Sequence, residues 1–515
     1  MFGAVRMDLL FPVPTIAGCL ALLALSCGSS TPEPSLSPEP LPIALAASAS
    51  VLIDNALIVR ISGELDSKGH VYVEYWSEGV DRLRSRPFAS TGTAFEAYGV
   101  RLRAATVYAY QVFVTDSDGR RSREGPKGTF TTGALPDGLA AARFNVRGGA
   151  PTLDLTFLEF RQHEFVGLAA FDGEGHVVWY FEPPEGEQPY VMDQRADGNI
   201  VYVAGFKGGT TALGLVEITP VGTEVARYMD DCNGFGPIHH EVQALQDGRV
   251  LYLSREVLWE GYEGRPAPQE GDTVGIWDPV TGEAEIVWNI FDFISPTERV
   301  EPHSNYRLPG HPLWGGCDRD RSVEDWSHGN SAVMSEDGGV LVSLGHLNQV
   351  VLIAPDLQSL RWRLGGPGSD FTFLRDRDRF YAQHSAISLP NGNVLLFDNG
   401  NRRPDSEGGQ FSRALELELD LDEMTATTVW EYRYTQPLFA ICCSSVQRLE
   451  NGNTVVMFGS MFADKCCRIY VIAEVDGAGR TLWEVRHVSP GKQNQYRVYA
   501  AESIMGERRL APPVE

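Results

Sequence analysis

Basic residues are scarce in this chain, with 43 Lys and Arg against 68 Asp and Glu, a formal net charge of −25. That balance argues against a nucleic-acid partner, because a phosphate backbone needs a basic surface. It also means that an anionic ligand must be held by a local cluster of donors, since the global field opposes it. Long hydrophobic runs are missing as well. The apolar stretch from Ile16 to Leu25 is too short to span a bilayer comfortably. Cysteine is sparse, 8 in 515 residues. A charged fraction of 22% and a hydrophobic fraction of 43% suggest neither disorder nor a membrane bundle. At 515 residues the chain exceeds one ordinary core, which predicts a small and a large domain.

The N-terminus reads as a processing signal. Arg6 precedes the apolar run, which ends at Ser26-Cys27-Gly28. Small residues before Cys27 resemble a bacterial lipobox, so residues 1–26 are expected to be a lipoprotein signal peptide and Cys27 the acylated first residue. The Pro/Ser/Glu-rich stretch 27–41 cannot pack a core and is expected to be a tether. Gly28 after the cysteine, with no Asp, resembles outer-membrane sorting. The expectation is an exported, lipid-anchored protein facing the periplasm or the cell surface, with the anchor as its only membrane contact. Beyond Cys19 and Cys27, six cysteines remain: Cys232, Cys317, Cys442, Cys443, Cys466 and Cys467. In an exported protein an even count predicts disulfides; the sequence does not assign the pairing, and Cys232 with Cys317 plus the two vicinal pairs cross-linked is one arrangement expected. A Cys/His metal site is the alternative, although the spacings form no familiar zinc pattern.

Residues 42–135 alternate apolar and polar positions in short runs such as Val71-Tyr72-Val73-Glu74-Tyr75, punctuated by turn signals. Period-two alternation of this kind indicates a half-buried β-sandwich. The spacing from Leu102 through Thr106, Tyr108 and Tyr110 to Val112 resembles a fibronectin type III strand with a tyrosine corner. No catalytic cluster lies there, and a spacer or docking module is expected.

The region 140–508 repeats itself. A hairpin with an Asp-Gly, Asn-Gly or similar turn recurs at Gly198, Gly248, Gly338, Gly392 and Gly452, whose glycines supply the positive φ a tight two-residue turn needs. Between these copies lies a second hairpin ending in an aromatic strand around Trp179, Trp288, Trp362, Trp430 and Trp483. Two alternating hairpins make a four-stranded sheet, and repetition about every fifty residues predicts a six-bladed β-propeller. The fold class is all-β, a sandwich followed by a propeller. One long spacing, Gly248 to Gly338, predicts an insertion near Trp259 to Cys317. The Ser-x-Asp-x-Gly-x-Thr-Trp repeats of sialidases are absent.

Counting back eight residues from the turn glycines gives His240, Asn330 and His384, with His328 two residues before Asn330. Equivalent positions on inner hairpins converge on one mouth of the central channel, so these residues are expected to share a functional site. Three convergent histidines are also a plausible ligand set for a divalent cation.

These segments resemble the bacterial arylsulfotransferases. The resemblance is carried by Asp325-Trp326-Ser327-His328-Gly329-Asn330-Ser331, Trp362-Arg363-Leu364-Gly365-Gly366, Ser369-Asp370-Phe371, Gln383-His384 and Leu396-Phe397-Asp398-Asn399-Gly400. It implies transfer of a sulfuryl group from a phenolic sulfate ester to a phenolic acceptor, with no nucleotide sulfate donor, no cofactor and no metal. It implies that His384 is the nucleophile, carrying the group as a sulfohistidine. His240 and His328 would donate to the sulfuryl oxygens or protonate the leaving phenolate, Asn330 would orient the group, and His239 and His346 would contribute to binding. One position departs from the family pattern: where a Ser-x-Arg-His run is usual, the chain reads Ser343-Leu344-Gly345-His346. The arginine that would clamp the sulfuryl oxygens is Gly345. His346, Arg361 or Arg363 would be the substitutes, the last two expected to face solvent from an outer hairpin. The competing reading is a non-catalytic propeller that binds an anionic or aromatic ligand, or docks a surface partner.

Overall fold

Alternating β-branched and aromatic residues give strands almost everywhere in the computed structural model, which describes residues 40–117, 119–162, 164–206, 212–229, 236–262, 267–300, 305–307, 323–462, 467–490 and 495–510. The expected signal peptide, Cys27, Cys232, Cys317 and Cys466 lie outside the described residues, as does the Cys467 side chain. From Leu41 onward the chain forms one compact unit.

The first part contains two antiparallel sheets. One is ordered Ala44–Val51, Val59–Leu65, Ala94–Gly99; the other runs Val80–Arg84, His70–Ser77, Val107–Thr115, Ser122–Thr131. Their inward residues, among them Val59, Ile61, Val73, Tyr75, Tyr108 and Val112, form one buried cluster. The Tyr108 hydroxyl accepts the Arg103 N–H at 2.9 Å. At the opposite edge Arg508–Arg509, near the end of the chain, pairs with Leu83 and Arg84.

Six further sheets follow among the described residues, each with at least four strands in antiparallel succession. The hairpins differ in detail from the sequence expectation. Arg195 N–H donates to Asn199 O and Gly198 N–H to Arg195 O, so three residues form the loop. Gly198 has φ +94° while Asp197 stays at negative φ. Because only one residue needs the left-handed region, this is a type I turn closed by a glycine bulge rather than a two-residue turn. The aromatic strands lie at the outer side of their sheets, where a flat ring covers the neighbour. Trp179 packs against Ile200, Tyr202 and Val216 of the next sheet, and Trp288 against Val340 and Val342. Burying one such side chain contributes about 2–3 kcal/mol, so these tryptophans hold successive sheets together.

The expected insertion begins later than the spacing suggests. Gln269–Trp277 and Ala284–Asn289 are regular third and fourth strands, and the extra chain follows Asn289. It returns as Asn305–Arg307 and Val323–Asp325, the latter running parallel to Gln269–Glu270. Val498–Ala501 pairs with Leu155–Leu158 and completes the sheet begun near the start of the repeats.

Candidate active site

Four of the innermost strands have their ladders interrupted near the start. The register breaks between Pro189 and Met192, His239 and Val242, Gly329 and Ser331, and His384 and Ile387. A bulge re-aims the side chains beside it, and these breaks fall on the positions eight residues before the turn glycines. Backbone strain collects at the same place: His240 has φ +56°, His328 +50° and Ser385 +54°, while Cys443 and Ser444 reach +64° and +87°. Left-handed conformations cost such residues about 1–3 kcal/mol each and persist where the surroundings over-determine them, as at functional sites.

The bulges bring the sequence candidates together. The His240 ring lies 5.2 Å from that of His328 and 4.9 Å from that of His239, and His328 stacks on His346 at 4.3 Å. Tyr496 bridges to the remaining candidate, its ring 5.2 Å from His240 and 6.2 Å from His384. Asn330 is fully buried, and its amide donates to Gln383 O at 2.7 Å. Arg361 and Arg363 are engaged elsewhere, with Asp337 and with Glu298.

The hydrogen bonds define the state of His384. Asn399 donates its amide nitrogen to Ala440 O and Cys443 O, at 2.9 and 3.2 Å, which leaves its oxygen toward His384 Nδ1 at 2.8 Å. Ala382 O lies 3.1 Å from the same nitrogen. Both neighbours of Nδ1 are acceptors, so Nδ1 bears the proton. Nε2 then holds the lone pair, and it accepts the Cys443 N–H at 3.2 Å. Burial, reinforced by His328, pushes the His384 pKa down to about 3, so the ring is neutral at ordinary pH. Burial and the neighbouring His239 and His328 likewise hold His240 well below the usual imidazole range. His328 is oriented differently: Asp325 accepts from its Nδ1 at 2.7 Å, while His346 Nδ1 donates to the Asp325 backbone carbonyl at 2.9 Å. Asp325, His328 and His346 offer ligand atoms within 4.8 Å of one another, a set that would suit a divalent cation. The Asp325–His328 hydrogen bond by itself accounts for their approach.

Gly345 adjoins this cluster. A Cβ there would lie 2.8 Å from the Asn330 amide nitrogen and 3.4 Å from His328 O.

Sequence reasoning missed several members of the site. Ala501 pairs with Leu155 at the end of the last inner strand, just as Ser388 pairs with Val394. Four residues before Ser388 stands His384; four before Ala501 stands Arg497. Arg497 therefore occupies the ring position of the closing sheet. No turn glycine follows it, because the partner strand lies at the other end of the repeats, so counting from glycines cannot find it. Strand pairing between the chain's extremes was the available signal. Arg497 donates to Glu241 at 2.5 Å and to Asn330 O at 3.3 Å, and the Tyr496 hydroxyl donates to Asn330 O at 2.9 Å. Cys442 and Cys443 bring their Sγ atoms within 3.0 Å of each other beside His384.

The fold and this cluster define an all-β protein with a buried, neutral imidazole at the meeting point of its inner strands, an arrangement suited to nucleophilic group transfer. Residues 152–497 match the family Arylsulfotransferase (ASST). The chain belongs to this arylsulfotransferase family, and its function is arylsulfotransferase-like. No curated protein sequence matches it. Among solved structures it is similar to a protein of unknown function from Bacteroides caccae, at 14% identity and a TM-score of 0.39, over 67% of this chain and 98% of that one. It is also similar to a streptogramin B lyase, at 11% identity and a TM-score of 0.34, over 84% of this chain and 98% of that one. Likenesses at these scores carry no argument about chemistry.

Proposed function

We propose that this protein transfers a sulfuryl group from a phenolic sulfate ester to a phenolic acceptor through a sulfohistidine at His384, without a nucleotide sulfate donor. The observation that carries the reading is the protonation pattern of His384: Nδ1–H held by Asn399 and Ala382 O, and a neutral ring with its lone pair at Nε2. A neutral imidazole divides a difficult transfer into two easier ones. In the first, the Nε2 lone pair bonds to sulfur as the bond from sulfur to the aryl oxygen breaks. The Cys443 N–H gives up its contact with Nε2, the departing phenolate takes a proton from His328, and neutral His240 donates an N–H to the sulfuryl oxygens. The Asp325 hydrogen bond at Nδ1 fixes the orientation of the His328 imidazole for that role. In the second, the acceptor phenol loses its proton to the same imidazole, its oxygen attacks sulfur, and the bond from Nε2 to sulfur breaks. Asn330 orients the group, and His239 and His346 contribute to binding from the flanks.

In this reading the six successive sheets over 140–508 are the blades of a six-bladed propeller. The strand orders of the two sheets in 42–135 support a fibronectin type III-like domain. Residues 1–26, Cys27 and 27–41 are signal peptide, lipid anchor and tether, so the reaction takes place outside the cytoplasm.

Intact-mass measurement after incubation with phenyl sulfate tests the proposal. A sulfuryl adduct that maps to His384 and disappears on adding a phenol is the expected result. Binding of phenyl sulfate with no adduct would instead favour a non-catalytic ligand-binding propeller, the reading to which the glycine at position 345 lends support.

A further inference from the structure

An aryl sulfate is an anion and the chain carries a net charge of −25, so the site needs a cation of its own. The ring position of the closing sheet holds one. A guanidinium has five N–H donors, and Arg497 uses one on Glu241 Oε1 and one on Asn330 O. Its Nε is buried without an acceptor among the described residues. Arg413, a structural arginine in the same fold, is bonded quite differently, to Asp398, Glu431, Arg377 O and Arg379 O. The Arg497 ion pair is also lopsided: the Glu241 side chain is 2% exposed, the Arg497 side chain 19%. Glu241 is itself fixed by the N–H groups of Val242 and Ala332. The guanidinium is thus held at both terminal nitrogens while its Nε–H is left without an acceptor among the described residues, next to the groups that surround His384.

We propose that Arg497 binds the sulfuryl oxygens of the aryl sulfate and stabilises the charge they carry during transfer, in place of the family arginine that is Gly345 here. The assignment rests on the sulfuryl-transfer reading of the site. No proton moves on the guanidinium; it acts as a fixed donor whose geometry matches an oxyanion. Unlike a clamp at position 345, it enters from the last strand, on the Asn330 carbonyl rather than its amide.

The test uses the full chain with phenyl sulfate and phenol as probes. Removing Arg497 alone would leave Glu241 buried without its cation, so the principal variant is Arg497→Gln/Glu241→Gln, which removes both charges and keeps side chains of similar shape. It is expected to bind phenyl sulfate at least about tenfold more weakly and to form the His384 adduct roughly 10²–10³-fold more slowly. Phenol binding should change by less than about twofold, because a neutral ligand does not need the cation. Arg497→Lys, which keeps the charge without the fork, should fall between the two and decides the question if the double variant does not fold. Parent-like phenyl sulfate binding in these variants, or an equal loss of phenol binding, overturns the assignment. A parent protein that binds phenyl sulfate but never forms the adduct defeats the sulfohistidine reading, while the binding comparison still judges Arg497.

Discussion

Replacing Asn399 by alanine removes a side chain that bonds both the His384 ring and the loop over it. Three hydrogen bonds disappear: the one accepted from His384 Nδ1–H, and those donated to Ala440 O and Cys443 O. Asn399 is fully buried, so water cannot readily take its place. Two orphaned carbonyls at about 1–2 kcal/mol each give a loss of stability of about 2–4 kcal/mol. The kinetic effect is separate. Ala382 O remains 3.1 Å from Nδ1 and still favours the proton there, so orientation is weakened rather than reversed. Adduct formation with phenyl sulfate should slow by about 10–100-fold, corresponding to about 1.4–2.8 kcal/mol. Asn399→Asp distinguishes the two effects. Its carboxylate still accepts from Nδ1 but cannot donate to either carbonyl, so it should be as unstable as the alanine variant and yet faster. Urea denaturation and single-turnover intact mass, at a temperature where all three proteins are folded, measure both quantities. Parent-like adduct formation in Asn399→Ala, or an aspartate variant slower than alanine, would refute the role assigned to this contact.

His384→Asn should abolish transfer to phenol, whereas His240→Asn and His328→Asn should leave weak residual activity; a turnover assay in which His384→Asn retains more activity than the other two contradicts the nucleophile assignment. Glu159 is buried near Arg161, and desolvation pushes its pKa up to about 7 from 4.5 despite that arginine. Its contribution to stability is therefore present below pH 4.5 and lost as the pH rises through 7, so Glu159→Gln should match the parent in urea titrations at pH 4.5 and exceed it by about 3 kcal/mol at pH 8; an equal gap at both pH values rules this out. Gly345→Arg should lower both stability and adduct rate, because its Cβ would press on the Asn330 amide that holds Gln383 O; a gain in rate would show that the pocket has room for the family arginine after all. Cys27→Ala should move the protein from the membrane to the soluble fraction on cell fractionation, and unchanged membrane association would dismiss the lipobox.

Much of the architecture was legible because repetition exposes it. Five turn glycines and five tryptophans mark the inner hairpins and outer strands, and the residues they index, His240, Asn330 and His384, do meet. The turn type is not legible, because Asp-Gly serves both a two-residue turn and a type I turn with a glycine bulge, and sequence does not reveal the φ of the aspartate. The insertion was placed early because 269–289 lacks a turn signal of the recurring kind, though it supplies two ordinary strands. Asn399 stood within a recognised motif without a role, since its partners Ala440 and Cys443 are some forty residues away. Arg497 was invisible for a related reason: its ring position is defined by pairing with Leu155–Leu158 at the far end of the repeats.

That pairing has a consequence in time. Synthesis runs from the N-terminus, so the sheet containing Leu155–Leu158 waits without its innermost strand until Val498–Ala501 has been made. Tyr496 and Arg497, which complete the histidine cluster, arrive with that strand, and Arg508–Arg509 then ties the tail to the first domain. A chain that stops short of this strand therefore holds His384 without Tyr496 and Arg497 beside the cluster. The surroundings of the histidine cluster are complete once the strand Val498–Ala501 is in place.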